Sequence, residues 1–203
     1  GAEVVKVEVP WGEIYRHSLP RYAGYESSFE LAPHFQMDNR GKRSVALDLA
    51  LPEAVRALER LVGRADVLLT NMLPARLAKY GLDPETLRTK HPALILARVS
   101  GYGPVGPEAD APAFDYSAYW ARTGLMDLLH EPDAPPAFQR PGMGDHSASL
   151  ALVVGVLSAL RQRDRGAPGQ RIDVSLQHIG FYIEGNDAAM TTGGGARTGC
   201  ASD

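Results

Sequence analysis

Residues 65–100 read ADVLLTNMLPARLAKYGLDPETLRTKHPALILARVS. Ala65–Thr70 is a short apolar run of strand length, and Leu73–Tyr80 has helical spacing and stops at Gly81. Asp83-Pro84 opens a second helix through about Lys90, with the aspartate as cap and proline at the first helical position. Leu94–Val99 is apolar almost throughout, the pattern of a strand covered on both faces. Strands joined through helices belong to a parallel sheet with right-handed crossovers. The expected fold class is therefore α/β, a Rossmann-like parallel sheet with flanking helices.

Outward from this stretch the alternation continues. Upstream, Val4, Val5, Val7 and Val9 form a strand that Pro10 and Gly12 end. Residues 11–38 read as a long irregular connection with room for a short helix. Arg43–Leu49 alternates as a strand, and Pro52 opens a helix that Gly63 closes. Downstream, residues 101–144 are rich in proline and glycine and read as loops. A long helix follows from about His146 to Arg165, apolar nearly all round through Leu160, which predicts a central position. Gln170–Leu176 is a strand, and a last helix runs to about Met190. Ligands in parallel α/β sheets lie beyond the carboxyl ends of the strands. Those ends carry Pro10-Trp11-Gly12, Asn71-Met72-Leu73-Pro74 and Ser100-Gly-Tyr-Gly-Pro-Val-Gly106.

The 203 residues are 44% hydrophobic, enough for a sizeable core, and the 21 basic against 24 acidic residues leave a net charge of −3. That balance advertises neither nucleic acid nor a membrane surface. The apolar run around Leu150–Leu160 is too short to span a bilayer. The single cysteine, Cys200, excludes an intrachain disulfide and a cysteine-built metal cluster, and suits a cytoplasmic setting. The six histidines lack metal-ligand spacing, so no metal is expected.

Gly142-Met-Gly-Asp145-His-Ser-Ala-Ser149 carries the most chemistry: a glycine-bearing loop delivers an aspartate to the start of a long apolar helix. Taken alone, such an aspartate reads first as an N-cap. The same helix end also stabilises charge on an attacked acyl group, and Gly142 and Gly144 leave room for a ligand to approach. Asn39-Arg-Gly-Lys-Arg-Ser-Val-Ala-Leu-Asp48 reads equally as a phosphate-binding turn or a solvated basic one. Ser100–Pro107 reads as a ligand loop or as an irregular connection. Neither a Gly-x-x-x-x-Gly-Lys loop nor a Gly-x-Gly-x-x-Gly signature opens a helix, and no Gly-x-Ser-x-Gly elbow occurs.

Taken in order, these segments resemble the family III CoA-transferases, whose relatives include formyl-CoA and carnitine CoA-transferases and the α-methylacyl-CoA racemases. The resemblance rests on Gly1-Ala-Glu-Val-Val-Lys-Val-Glu8, Asn39–Leu49, Ala65–Asn71, Leu82–Leu96, Ser100–Pro107, Gly144-Asp145 with its long helix, and Gly169-Gln-Arg-Ile-Asp-Val-Ser175. It implies that Asp145 is the catalytic aspartate, acylated during turnover. It also implies that Asn71 and Met72 line the CoA site, that Lys79 stands for an arginine reaching CoA phosphates, and that Arg16 is a basic residue after the first strand. Tyr102 and Phe114 join these as candidate ligand contacts, with Phe114, Tyr116 and Trp120 bearing on the acyl group.

The departures are equally specific. In Pro112-Ala-Phe114-Asp115, Phe114 stands where racemases of this family need a histidine, and phenylalanine exchanges no proton. Pro112 falls where some transferases carry a cation, and Val9 replaces a residue that is often basic. The resemblance implies CoA or acyl-CoA as substrate, a carboxylic acid as the other substrate, and an interlocked homodimer. It further implies that residues 1–190 are the large domain, lacking an opening strand and helix, that residues 191–203 begin the linker to a small domain, and that such a fragment is inactive alone. The expected function is CoA transfer through an aspartyl-CoA thioester on Asp145. The alternatives are a racemase-like enzyme or a non-catalytic CoA-binding fragment.

Overall fold

The computed structural model describes residues 1–17, 21–22, 25–26, 32–131 and 133–195. The chain forms two compact units, Gly1–Arg64 and Ala65–Asp203. In the first, β1 (Val5–Glu8) leads to a 3₁₀ turn (Ile14–His17), the short strands β2 (Arg21–Tyr22) and β3 (Tyr25–Glu26), α1 (Pro33–Asn39), β4 (Arg43–Ala46) and α2 (Pro52–Val62). β1 and β4 pair in parallel with Val7 opposite Val45, and β2 and β3 pair antiparallel. Helix α2 buries Ala54, Leu58 and Val62, one residue per turn, while Arg56 and Arg60 stay on the exposed face. Gly63 closes α2 in the right-handed conformation, its N–H on the Glu59 carbonyl at 2.9 Å.

The second unit runs β5 (Val67–Thr70), α3 (Pro74–Lys79), α4 (Pro84–Lys90), β6 (Ile95–Ser100), a π-helical turn (Tyr116–Ala121), α5 (Leu125–Leu128), α6 (Met143–Arg163), β7 (Arg171–Ser175), α7 (Leu176–Ile183) and α8 (Gly185–Thr192). Its sheet has the order β5-β6-β7, all parallel. The middle strand β6 buries Ile95, Leu96 and Ala97, as its apolar run predicts. Its one charge, Arg98, is also buried and faces Asp173 on the neighbouring strand at 3.6 Å. Parallel sheets flanked by helices are thus the observed architecture.

The short helix for which the stretch 11–38 left room is α1, begun by Pro33. Three expectations change. Residues 101–144 contain the π-helical turn and α5. The last helix is two helices that meet at Glu184, so residue 190 falls inside α8, not at its end. Helix α6 starts three residues before His146 and is not central. Gly144, Ala148, Leu152 and Ala159 face inward, but Leu150, Val153, Val154 and Leu157 are exposed. The physical reason is that one sheet covers one face of a helix: Gly155 packs on Ile172 of β7 so closely that a Cβ would lie 2.8 Å from its Cγ2. With 21 residues, α6 is long and apolar enough by length and composition to cross a bilayer, although the apolar run within it is shorter.

Candidate active site

Helix α6 begins with Gly142 as its N-cap, in the left-handed conformation (φ 82°) and without a side-chain cap. Asp145 is the third helical residue, so it is not the N-cap that an aspartate before a helix first suggests. It is exposed in the first turn, where the macrodipole favours negative charge. The loop before it is tied down twice. The buried carboxylate of Asp115 accepts the Gly142 N–H at 2.7 Å, and the Tyr116 hydroxyl donates to the Gln139 carbonyl at 2.5 Å. Burial, with the Asp115 charge second, raises the Tyr116 pKa and keeps this phenol protonated. At Gly144 the room expected for a ligand is already filled. A Cβ there would lie 2.6 Å from Cγ of Tyr119 and 3.0 Å from Cβ of Asp115. Tyr119 stacks edge-on against Trp120 at 5.2 Å in the core cluster with Ala118, Leu125, Ala148 and Leu176.

The start of α6 lies at the carboxyl edge of the sheet. At its other end Arg163 donates to the carbonyls of Asp66 and Ala93, which precede β5 and β6. From Gly155, against Ile172, the helix climbs about 15 Å to Asp145, while β7 climbs about 10 Å to Ser175. Asp145 therefore stands just beyond the strand ends, where this architecture places ligands.

Five more of the candidates belong to this unit, and Asn71, Met72 and Tyr102 directly follow strand ends. Asn71 is exposed after β5, and the Met72 N–H bonds the Thr70 hydroxyl at 3.1 Å. Lys79, at the end of α3, is exposed, with Nζ 5.7 Å from the Tyr80 ring centroid. Tyr102 is half-buried against the core, with Arg122 5.7 Å from its ring. Its loop is held by Ser100 Oγ, which accepts the Gly103 N–H, and by the Gly101 carbonyl, which accepts the Gln177 N–H. Phe114, beside the anchor Asp115, is 78% exposed.

Arg16 belongs to the other unit and is engaged there. Its guanidinium donates to buried Glu8 at 3.0 and 2.6 Å and lies 4.3 Å from the Phe35 ring. Arg16, with Ser44 and the Glu13 N–H, holds the Glu8 carboxyl down to about 2 despite its burial. In the basic turn before β4, Lys42 bonds Asn39 and Arg43 pairs with Glu3. Among the described residues no three histidine, cysteine or acidic side chains gather as metal ligands. The residues that sequence reading missed are the anchors Asp115 and Glu8, and Phe138. In the sequence Asp115 has no local pattern of its own beside Phe114, and its partner lies 27 residues on.

Residues 1–201 match the model of the CoA-transferase family III. The chain belongs to that family. It is 38% identical over 182 residues, 90% of the chain and 44% of the relative, to a cinnamoyl-CoA:phenyllactate CoA-transferase of Clostridium sporogenes. It is 37% identical over 188 residues, 92% of the chain and 47% of the relative, to a succinate–glutarate CoA-transferase of Agrobacterium fabrum. Among solved structures, a CaiB/BaiF family protein from Brucella suis superposes with a TM-score of 0.86 at 34% identity, covering 98% of this chain and 52% of that one. This family III chain spans about half the length of the curated relatives it matches.

Proposed function

We propose that this chain supplies the nucleophile of a CoA-transferase, which moves CoA between an acyl-CoA and a carboxylic acid through an aspartyl-CoA thioester on Asp145. The observation that carries the reading is the presentation of Asp145, exposed in the first turn of α6 on a loop that Asp115 and Tyr116 hold in place.

The Asp145 carboxylate attacks the thioester carbonyl of the donor, and the C–S bond breaks. An acyl-aspartyl anhydride and CoA thiolate result. The thiolate attacks the Asp145 carbonyl and expels the donor acid as its carboxylate, leaving aspartyl-CoA. The acceptor carboxylate attacks that thioester to form a new anhydride, and the released thiolate attacks its acyl carbonyl to give the new acyl-CoA. Asp145 is restored, and no net proton is consumed. Splitting one exchange into these steps is the gain of covalent catalysis. Each tetrahedral oxyanion needs an N–H donor, whose removal costs roughly 100–1,000-fold in rate. The first N–H groups of a helix have no intrahelical acceptor and are suited to this work.

In this reading Asn71, Met72, Tyr102 and Phe114 contact CoA or its acyl group, while Lys79 serves its phosphates. Phe114 offers no proton at the position where a racemase needs one, which favours transfer over α-carbon exchange. The exposed stripe Leu150, Val153, Val154 and Leu157 is a face on which a second copy packs in a homodimer. The named substrates of the two relatives, one aromatic and one dicarboxylic, come at nearly equal identity. Identity therefore leaves the acyl group open.

The test is Asp145→Ala in the complete protein. Acyl transfer is lost while CoA still binds by calorimetry; unchanged turnover contradicts the mechanism.

A further inference from the structure

Phe114 and Phe138 are each 78% exposed, yet neither sits on a loose segment. The Phe114 backbone is pinned at both ends of its own peptide. Its N–H bonds Ser117 Oγ at 3.1 Å, and its carbonyl accepts from the same hydroxyl at 3.0 Å. Phe138 precedes Gln139, whose carbonyl takes the Tyr116 hydroxyl, and its ring lies 5.0 Å from the Tyr116 ring at 33°. Asp115, next to Phe114, binds the Gly142 N–H and touches the Gly144 position. The two rings therefore stand on the two segments that meet at the start of α6.

We infer that Phe114 and Phe138, with Tyr116 behind Phe138, form an acyl subsite beside Asp145 that selects an apolar, aromatic acyl group over a dicarboxylic one. The inference rests on the reading of Asp145 as the acyl acceptor. Exposed aromatic rings on fixed backbone give contact area at little entropic cost. An aryl group can stack offset on such rings, and an aliphatic or aryl chain covers surface that otherwise faces water. A second carboxylate would need a cation. The cation acting on this aromatic group is Arg140, which lowers the Tyr116 pKa against the larger effects of burial and Asp115. The surface that these two segments expose is that of the two rings.

The test compares 3-phenylpropionyl-CoA with succinyl-CoA as donors to one acceptor acid, in the complete protein and in Phe138→Ala, Phe138→Leu, Phe114→Ala and Arg140→Ala. The readouts are kcat/KM for each donor, the CoA adduct on Asp145, and the thermal unfolding midpoint. The aryl donor is preferred, each alanine variant at a phenylalanine lowers the aryl-to-succinyl ratio about tenfold or more, and Phe138→Leu keeps part of it. Equal losses with both donors overturn the inference. So does a lowered unfolding midpoint with an unchanged ratio, because the rings are then covered by protein. A succinyl preference lost in Arg140→Ala overturns it as well. In those three cases an Asp145 adduct still forms and the reaction stands; no adduct with either donor removes both.

Discussion

Each of the two units holds a functional-looking loop with one buried acid, and the two acids are spent differently. In the first unit Glu8 closes the loop after β1 by taking Arg16, Ser44 and the Glu13 N–H. The loop's charged residues neutralise one another, and Lys6 pairs with Glu13 as well. In the second unit Asp115 closes the loop before α6 by accepting the Gly142 backbone N–H. Asp145, in the first turn of α6, is exposed. The lesson is that a buried carboxylate holding a loop is a frame, and that reactivity belongs to the acid the frame presents. A charge-paired loop such as that of Glu8 holds shape but has little left with which to meet a substrate.

Gly144→Ala strikes this contrast hardest. The new methyl meets Tyr119 and Asp115, so the first turn of α6 must shift. Overpacking of this kind costs about 1–3 kcal/mol. A displacement of Asp145 by roughly 1 Å costs about 100-fold in turnover. Unaltered kcat/KM and unfolding midpoint in this variant contradict the close packing. Asp115→Ala comes next. It leaves the Gly142 N–H without its acceptor and lowers stability by about 1–3 kcal/mol in urea titration. Asp115→Asn, which keeps an accepting oxygen, recovers part of the loss. Equal effects of the two variants argue against the hydrogen bond.

Acid separates the units more gently. Glu8 has a folded pKa of about 2 against an ordinary 4.5. Its contribution is therefore complete above the ordinary value and is lost as pH falls from there toward about 2. Amide exchange in β1 and β4 rises in this window, and Glu8→Gln removes that pH dependence; an identical profile in the variant breaks the account. The smallest effect is at Glu184, buried where α7 meets α8. Burial, then the Asp187 charge, raises its pKa. The folded state keeps this proton where the unfolded state has lost it, so stability falls as pH rises through the window above the ordinary value. Glu184→Gln raises the unfolding midpoint at pH 7 by about 2 °C and leaves it unchanged at acid pH. A lowered midpoint at pH 7 shows that the charged form has a partner.

Much of the frame is legible from local chemistry. Asp83 caps α4 through the Thr86 N–H at 3.0 Å, as Asp-Pro before a periodic run predicts, and the apolar run of β6 lies in the middle of its sheet. What escapes sequence reading depends on distant partners. The periodicity of α6 reports an apolar helix but not how many faces are covered, since that depends on what packs against it. Asp115 sits in a proline-rich stretch without local pattern, and its function appears only when Gly142 is folded onto it. Arg16 reads as an available cation until Glu8 is placed beside it. Asp145 itself is legible through the glycines around it, although its place inside the first turn, with Gly142 as the cap, is not.

Peptide mapping by mass spectrometry, after the complete protein meets an acyl-CoA and is quenched with hydroxylamine, separates the two aspartates directly. The hydroxamate is expected on Asp145, with Asp115 unmodified. Label on Asp115, or on neither residue while CoA transfer proceeds, would contradict the assignment of the nucleophile.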